Sequence, residues 1–222
     1  MYLTRMFLNT RRRSAMRLLD SPQRMHAAVA SSFPPESMAE EAARVLWRID
    51  QRPDKTSLIV TSPVEPDMSA LVEQAGWQTG ELWQTRPYGQ FLESIDAEQN
   101  WLFRLVANPT YSGRRQGWDD TKPRGHTTVK QQEDWLLSRA ERLGFVVPDG
   151  PSGATGMTVS ERRTMHFARS GRQVTVVTAA FEGVLSVTNP DLLRHALVSG
   201  IGRAKAYGCG LMTLMPQGRD GG

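Results

Sequence analysis

The order of predicted secondary structure repeats once along this chain, and that repeat limits the folds open to it. In each half, a strand is followed by helical sequence, two further strands, a second helix and a final strand. This β-α-β-β-α-β order is that of a ferredoxin-like domain. The halves share no visible sequence identity, so the repeat is one of pattern alone. We therefore predict an α+β protein of two tandem ferredoxin-like domains, at residues 1–95 and 100–217.

Capping and turn residues mark the ends of several predicted elements. Ser21 followed by Pro22 supplies an N-cap and a first-turn proline for a helix. Thr128 with Gln131 predicts a capping box at the start of a helix in the second half. Ser170-Gly171 marks the turn of a long hairpin whose strands we expect at residues 158–168 and 173–187.

Composition excludes several classes of protein. The net charge of +4 over 222 residues is mild, so an anionic partner must be attracted by local basic clusters. The single cysteine, Cys209, excludes an internal disulfide and fits a reducing cytoplasm. No apolar run approaches the ~20 residues that span a bilayer, so we expect no membrane partner. Because there is no HExxH motif and no cluster of carboxylates, we expect neither a metal nor another cofactor.

A glycine-rich basic segment, residues 200–210, joins the last predicted helix to the last strand. It holds four of the chain's 19 glycines, interleaved with Arg203 and Lys205. Glycines at positive φ let backbone N–H groups converge, and neighbouring cations favour an anion there. Gly200, Gly202, Arg203 and Lys205 are therefore candidate contacts to a phosphate backbone. The alternative is a helix C-cap followed by a flexible turn.

Two further basic clusters are candidates for binding nucleic acid. The first lies near the tip of the long hairpin and consists of Arg162, Arg163, Arg169 and Arg172. An exposed ribbon with arginines near its tip suits a nucleic-acid groove or backbone. The second approaches a predicted helix N-terminus and consists of Lys122, Arg124, His126 and Lys130. For both, the alternative is a solvated charged surface.

His26 is the candidate for proton transfer. In the helix that begins at Pro22, Met25, Val29 and Phe33 share an apolar face, and His26 lies on its flank. Such a histidine can be partly buried and still reach a cleft, where its pKa suits acid–base catalysis. Metal-independent chemistry of this kind suits RNA, whose 2′-OH can attack the neighbouring phosphate. The alternative is a boundary histidine that only packs.

Several motifs, in order and spacing, resemble the CasE family, the CRISPR repeat-processing endoribonucleases of type I-E systems. They are residues 1–5, Met25-His26, Leu46-Trp47-Arg48, residues 103–109 (Phe-Arg-Leu-Val-Ala-Asn-Pro), Phe181-Glu182-Gly183 and the glycine-rich segment. The resemblance covers essentially the whole chain. It implies two tandem ferredoxin-like domains that bind the stem-loop of a CRISPR repeat RNA.

The resemblance also implies an activity. Cleavage at the base of the stem would need no metal and would leave a 2′,3′-cyclic phosphate, and the protein would then join other Cascade subunits with its product. The family's active-site histidine maps onto His26. Some relatives have a tyrosine three residues earlier, where this chain has Gln23, so a two-residue proton-transfer scheme is left open. The competing hypotheses are a non-catalytic RNA-binding subunit of the same fold and a ferredoxin-like metabolic protein.

Overall fold

The computed structural model describes residues 1–34, 44–80, 82–114, 121–150, 153, 155–169 and 172–217. These residues form two compact units. Unit 1 comprises Met1–Ser94, Val198–Gly200 and Lys205–Leu211, and unit 2 comprises Ile95–Leu197, Ile201–Ala204 and Met212–Gly222. The glycine-rich segment is therefore divided between the units, whereas the sequence-based domains place it wholly in the second.

Some predicted features fall outside this description. The hairpin turn at Ser170-Gly171 lies outside the described residues. The side chains of Lys122, Arg169 and Arg172 also lie outside them, although their backbones belong to strands.

Unit 1 is built on a four-stranded antiparallel sheet. Its strands are β1 (Tyr2–Leu8), β2 (Leu46–Gln51), β3 (Thr56–Ser62) and β4 (Trp83–Pro87). Its helices are α1 (Arg13–Leu19), α2 (Pro22–Ala30), α3 (Ser69–Ala75) and α4 (Gly89–Glu93). The spatial order β2-β3-β1-β4 places the first strand between the third and the fourth, which is the order of a ferredoxin-like sheet.

The start and the buried face of α2 follow from local sequence. The Ser21 hydroxyl accepts a hydrogen bond from the backbone N–H of Arg24, and Pro22 occupies the first turn, as predicted. Met25 and Val29 are buried in a core shared with apolar side chains of β1 and β3. His26 is half-buried on the flank of that face, which confirms its predicted position.

Unit 2 is built on a five-stranded sheet and a separate two-stranded hairpin. Its strands are β5 (Asn100–Ala107), β6 (Thr110–Arg114), β7 (Thr121–Gly125), β8 (Phe145–Val146), β9 (Met157–Arg169), β10 (Arg172–Val187) and β11 (Met212–Pro216). Its helices are α5 (Val129–Ala140) and α6 (Pro190–Ser199). The sheet runs β11-β5-β10, and β10 pairs beyond that with both β8 and β9.

The strand order of unit 2 repeats that of unit 1, which confirms the prediction of two tandem ferredoxin-like domains. The capping box of Thr128 and Gln131 at the start of α5 is also confirmed. The β6–β7 hairpin was not predicted. Its strands, Thr-Tyr-Ser-Gly-Arg and Thr-Lys-Pro-Arg-Gly, are short and lack the apolar alternation on which strand prediction depends.

Two consecutive residues of β2 pack closely against the glycine-rich segment within unit 1. A Cβ atom on Gly200 would lie 2.9 Å from the methyl carbons of Leu46. A Cβ atom on Gly208 would lie 2.7 Å from the indole ring of Trp47. Neighbouring residues of a strand face opposite sides of the sheet, so the segment reaches side chains of both faces at the edge strand β2. Close packing against β2 therefore explains why these two positions are glycine.

The next residue of β2, Arg48, fixes the chain directly after this segment. Arg48 is 2% exposed, and its Nε and Nη2 atoms donate to the two carboxylate oxygens of Asp50, each at 2.8 Å. Its Nη1 atom donates to the carbonyl oxygen of Leu211 at 3.0 Å. This bidentate pairing and the third hydrogen bond offset the cost of burying the guanidinium. All three residues of the Leu46-Trp47-Arg48 motif thus hold the glycine-rich segment in place.

Replacing Arg48 by methionine should lower the free energy of unfolding by about 3–5 kcal/mol, because Asp50 loses its counter-charge. Urea unfolding measures that loss. Cys209 provides a second, local measurement, since burial makes its thiol unreactive by raising its pKa to about 12. Its reaction with Ellman's reagent in the native state should be faster in the variant.

Arg52→Met is the matched control, because Arg52 is exposed just beyond β2. It should change neither the unfolding midpoint nor the thiol reaction. If Arg48→Met also left both unchanged, the ion pair would not be what holds the segment.

Candidate functional site

The helix that carries His26 packs against part of the glycine-rich segment. Within unit 1, α2 contacts the 3₁₀ turn Lys205–Tyr207. The helix that carries the imidazole of His26 therefore packs against the turn that carries the ammonium group of Lys205 and the phenol of Tyr207. His26 and Lys205 were candidates from the sequence. Tyr207 was not a candidate, because the predicted anion site in this segment consists only of glycines and cations.

The side chain of Lys205 forms a hydrogen bond with another part of unit 1. Its ammonium group donates to the carbonyl oxygen of Ser199 at 2.7 Å, at the end of α6. A helix leaves its last carbonyl groups without intrahelical donors, so this contact satisfies one of them. Partial burial, and after it the charge of Arg44, lower the pKa of Lys205 below that of a free lysine.

Gly202 lies in the part of the glycine-rich segment that belongs to unit 2. Its φ is +82°, and that of Gly200 is +74°, so the predicted positive φ is confirmed at both residues. A Cβ atom on Gly202 would lie 3.1 Å from the indole ring of Trp135. Next to it, Arg203 is exposed and forms a backbone bridge to Asn108, in the motif at residues 103–109. The backbone conformation therefore favours glycine at position 202, and the Trp135 ring leaves little space there for a Cβ atom.

Arg162 lies against α5 because the β9 strand is irregular. The β9–β10 pairing shifts register in mid-strand, where Glu161 takes a φ of +46°. Arg162 donates through Nε to the side-chain oxygen of Gln132 at 3.0 Å, and through Nη2 to the carbonyl oxygen of Thr127. Simple alternation along a strand does not predict this contact, since a β-bulge breaks the alternation.

The other cationic candidates lie at several places in unit 2. Arg163 is exposed opposite Thr178, and Arg169 is paired with Arg172 at the end of the hairpin. Lys122 and Arg124 lie on β7, where Arg124 is exposed. Lys130 forms an exposed ion pair with Asp134 at 2.9 Å, a type of contact that adds little stability.

Arg104 of β5 links two neighbouring strands to its own. Its guanidinium contacts Glu161 of β9 at 2.8 Å and Glu182 of β10 at 2.7 Å. Arg104 and Glu182 belong to two of the motifs that resemble the CasE family, so the structure gives those motifs a shared role. Because Glu161 is the bulge residue, the same cluster also fixes the irregularity that positions Arg162.

The described part of the chain contains neither a metal-binding cluster nor a helix that could span a membrane. It holds no group of three or more His, Cys, Asp or Glu side chains that could bind a metal ion. None of the helices described here is both long and apolar enough to cross a membrane.

The two consecutive ferredoxin-like units place this protein in the class of tandem ferredoxin-like proteins. The chain belongs to the family described as CRISPR associated protein, whose model matches residues 1–216.

Curated relatives and solved structures agree with this assignment. The CRISPR-associated endoribonuclease Cse3 of Thermus thermophilus is 29% identical over 223 residues, which cover 97% of this chain and 100% of the relative. The CRISPR system Cascade subunit CasE of Escherichia coli is 40% identical over 118 residues, covering 51% of this chain and 57% of the relative. A solved structure of Cse3 bound to a 19-nucleotide RNA matches with a TM-score of 0.81 and 28% identity, over 97% of this chain and 100% of the other. A Cse3 structure with an RNA representing a pre-cleavage complex matches with a TM-score of 0.78 and 28% identity, over 97% and 98% of the two chains.

Gly202→Ala should destabilise the protein by more than backbone strain alone, because it adds a close contact with Trp135. The left-handed conformation costs a residue with a Cβ atom about 1–2 kcal/mol. Gly80→Ala is the matched control, since Gly80 has a φ of +87° and nothing within 4 Å of a Cβ atom. Urea unfolding of both variants gives the difference. Equal losses would show that the Trp135 ring moves aside at no cost.

Proposed function

We propose that this chain is an endoribonuclease that binds the stem-loop of a CRISPR repeat RNA and cleaves it without a metal ion. The 2′-OH beside the scissile bond attacks the phosphate and leaves a 2′,3′-cyclic phosphate. The observation that carries the proposal is the match to the Thermus endoribonuclease over 97% of the chain. The match to a structure of that enzyme with bound RNA supports the same conclusion.

The proposed reaction needs proton transfer and a cation near the phosphate. A base must take the proton of the 2′-OH, and an acid must protonate the departing 5′-oxygen. His26 serves one of these roles, because its helix presents it half-buried at the edge of the core. Lys205 lies on the turn that packs against this helix and stabilises the charge that develops on the phosphate.

In this proposal, cations of unit 2 bind the RNA backbone. The candidates are Arg162, Arg163, Arg169, Arg172, Lys122, Arg124, Lys130 and Arg203, with Gly200 and Gly202 shaping the segment that carries Arg203 and Lys205. Exposed arginines on a long hairpin suit phosphates along a helical stem. The resemblance to a Cascade subunit supports association with other Cascade subunits after cleavage. An RNA substrate and the free thiol of Cys209 both fit a cytoplasmic location.

His26→Ala should slow cleavage of a repeat stem-loop by about 10²–10⁴-fold, the usual contribution of one general acid or base. Binding should change little, because the proposed stem contacts lie in unit 2. Single-turnover cleavage on denaturing gels, and a binding titration, measure the two effects. His195→Ala is the matched control, since this exposed histidine lies on α6.

Two conditions test the mechanism with the unmodified protein. Cleavage should persist in EDTA, and a 2′-deoxyribose at the cut site should abolish cleavage while sparing binding. Strict dependence on Mg²⁺, or cleavage by His26→Ala at the wild-type rate, would contradict the mechanism.

Arg163→Ala and Lys205→Ala should each reduce the dependence of RNA affinity on salt. Every lost phosphate contact should flatten the slope of log K against log salt concentration by about one unit. Titrations at several salt concentrations measure the slopes. Arg52→Ala is a control of equal charge change outside the basic clusters. Unchanged slopes in both test variants would leave the hairpin and the segment without a role in phosphate binding.

A non-catalytic RNA-binding subunit is the second candidate function. The observation that favours it is Gln23, which is exposed one helical turn before His26. A side-chain amide cannot act as an acid or a base, so position 23 supplies no group for proton transfer. Tight stem-loop binding by the wild-type protein, with no cleavage in EDTA or in Mg²⁺, would select this function.

A further inference from the structure

We infer that a pocket in unit 2 holds one unpaired nucleotide of the RNA, with its base against Tyr111 and its phosphate between Arg139 and Arg203. The inference rests on the proposed RNA-binding function and extends it. It names a part of the substrate that the stem contacts do not address.

The size and composition of the pocket suit a single nucleotide. Its volume is about 270 Å³, and it is formed by β6, β7, α5 and residues 202–203. This volume is just below the range of about 300–1,000 Å³ for pockets that hold drug-sized ligands. The pocket can therefore admit a small ligand, near the size of one nucleotide. A base inside a duplex cannot enter, because its neighbours stack on both sides. None of the described residues that line the pocket is Asp or Glu.

Two guanidinium groups in the pocket are available to an anion. The Arg139 guanidinium lies 4.7 Å from the centre of the Trp135 ring. Its Nη1 donates to the Trp135 carbonyl oxygen at 2.7 Å and to the Ser138 hydroxyl at 3.2 Å. Its Nε and Nη2 have no acceptor among the described residues. The guanidinium of Arg203 has no acceptor within that part of the chain either. A phosphate accepts hydrogen bonds from guanidinium groups in pairs, so the two arginines suit one phosphate.

Tyr111 supplies an aromatic surface for a base. Its side chain is 44% exposed, although its ring lies 4.8 Å from that of His126. Burial, and after it the charge of Arg139, lower the pKa of His126, which favours the neutral form of this supporting ring. The Tyr111 ring is supported by the His126 ring and is partly exposed to solvent. An aromatic ring in such a position can stack on any unpaired base. Thr110 and Ser112 also line the pocket, and hydroxyl groups of this kind can bond to polar atoms of a base.

The pocket is continuous with a proposed stem contact. Tyr111 of β6 is paired with Arg124 of β7, so one hairpin carries both the stacking ring and a cation of the second basic cluster. When the RNA stem binds at Arg124, a nucleotide next to the stem can therefore reach the adjacent pocket.

The test compares RNAs with and without unpaired nucleotides. Blunt repeat stem-loops and stem-loops with two extra nucleotides at the 5′ or the 3′ end are titrated with the protein. All carry 2′-deoxyribose at the base of the stem, so that none is cut. The wild-type protein should bind at least one tailed RNA about tenfold more tightly than the blunt RNA, in line with the usual worth of one stacked base.

Tyr111→Ala should lose this preference and bind the blunt RNA as the wild type does. Tyr111→Phe is the matched control and should keep the preference, because stacking needs the ring and not the hydroxyl. A preference that survives in Tyr111→Ala would overturn the inference. So would a wild-type protein that binds blunt and tailed RNAs equally, which would leave stem-loop binding intact. Failure to bind any stem-loop would instead refute the proposed function.

Two measurements on the unmodified protein complete the test. 2-Aminopurine in the tail should lose fluorescence on binding as it stacks on Tyr111, and unchanged fluorescence would overturn the inference even if the variants failed to fold. Adenosine monophosphate alone, added at millimolar concentration, distinguishes a free nucleotide from an RNA nucleotide. Tight binding of the free nucleotide without any preference for tailed RNA would assign the pocket to a small molecule.

Discussion

A buried arginine on the edge strand of unit 1 holds the glycine-rich segment where it lies. Arg48 pairs with both carboxylate oxygens of Asp50 and donates to the carbonyl group of Leu211. Because burying a guanidinium is costly, this arrangement is stable only when every partner is present. The 3₁₀ turn that carries Lys205 belongs to the segment that Arg48 fixes, and this turn packs against the helix of His26. The proposed catalytic groups therefore depend on a contact that involves neither of them.

A second arginine organises the sheet of unit 2. Arg104 contacts carboxylates on both β9 and β10, and one of them belongs to the bulge residue Glu161. The bulge turns Arg162 onto α5, where it bonds to Gln132. In each unit, then, one arginine of a sequence motif connects a strand to the irregular backbone that carries candidate functional residues. This explains why residues without chemical roles of their own form part of the motifs.

Local sequence accounts for much of the fold and for part of the site. Ser21, Pro22 and the Thr128 capping box specify helix starts because their interactions span only a few residues. The apolar period of α2 places His26 at the edge of a core. Residue type also permits the positive φ of Gly200 and Gly202, since glycine adopts this conformation without strain. The β6–β7 hairpin escapes such reasoning, because its strands lack apolar alternation.

The sequence by itself determined the element order, hence two ferredoxin-like domains, and the residue types from which a site could be built. Only the tertiary structure decided which of them meet. It divided the glycine-rich segment between the units, placed Lys205 on a turn against α2, and formed a pocket from Tyr111, Arg139 and Arg203. These outcomes depend on side chains far apart in sequence competing for the same buried space. No local pattern records the result of that competition.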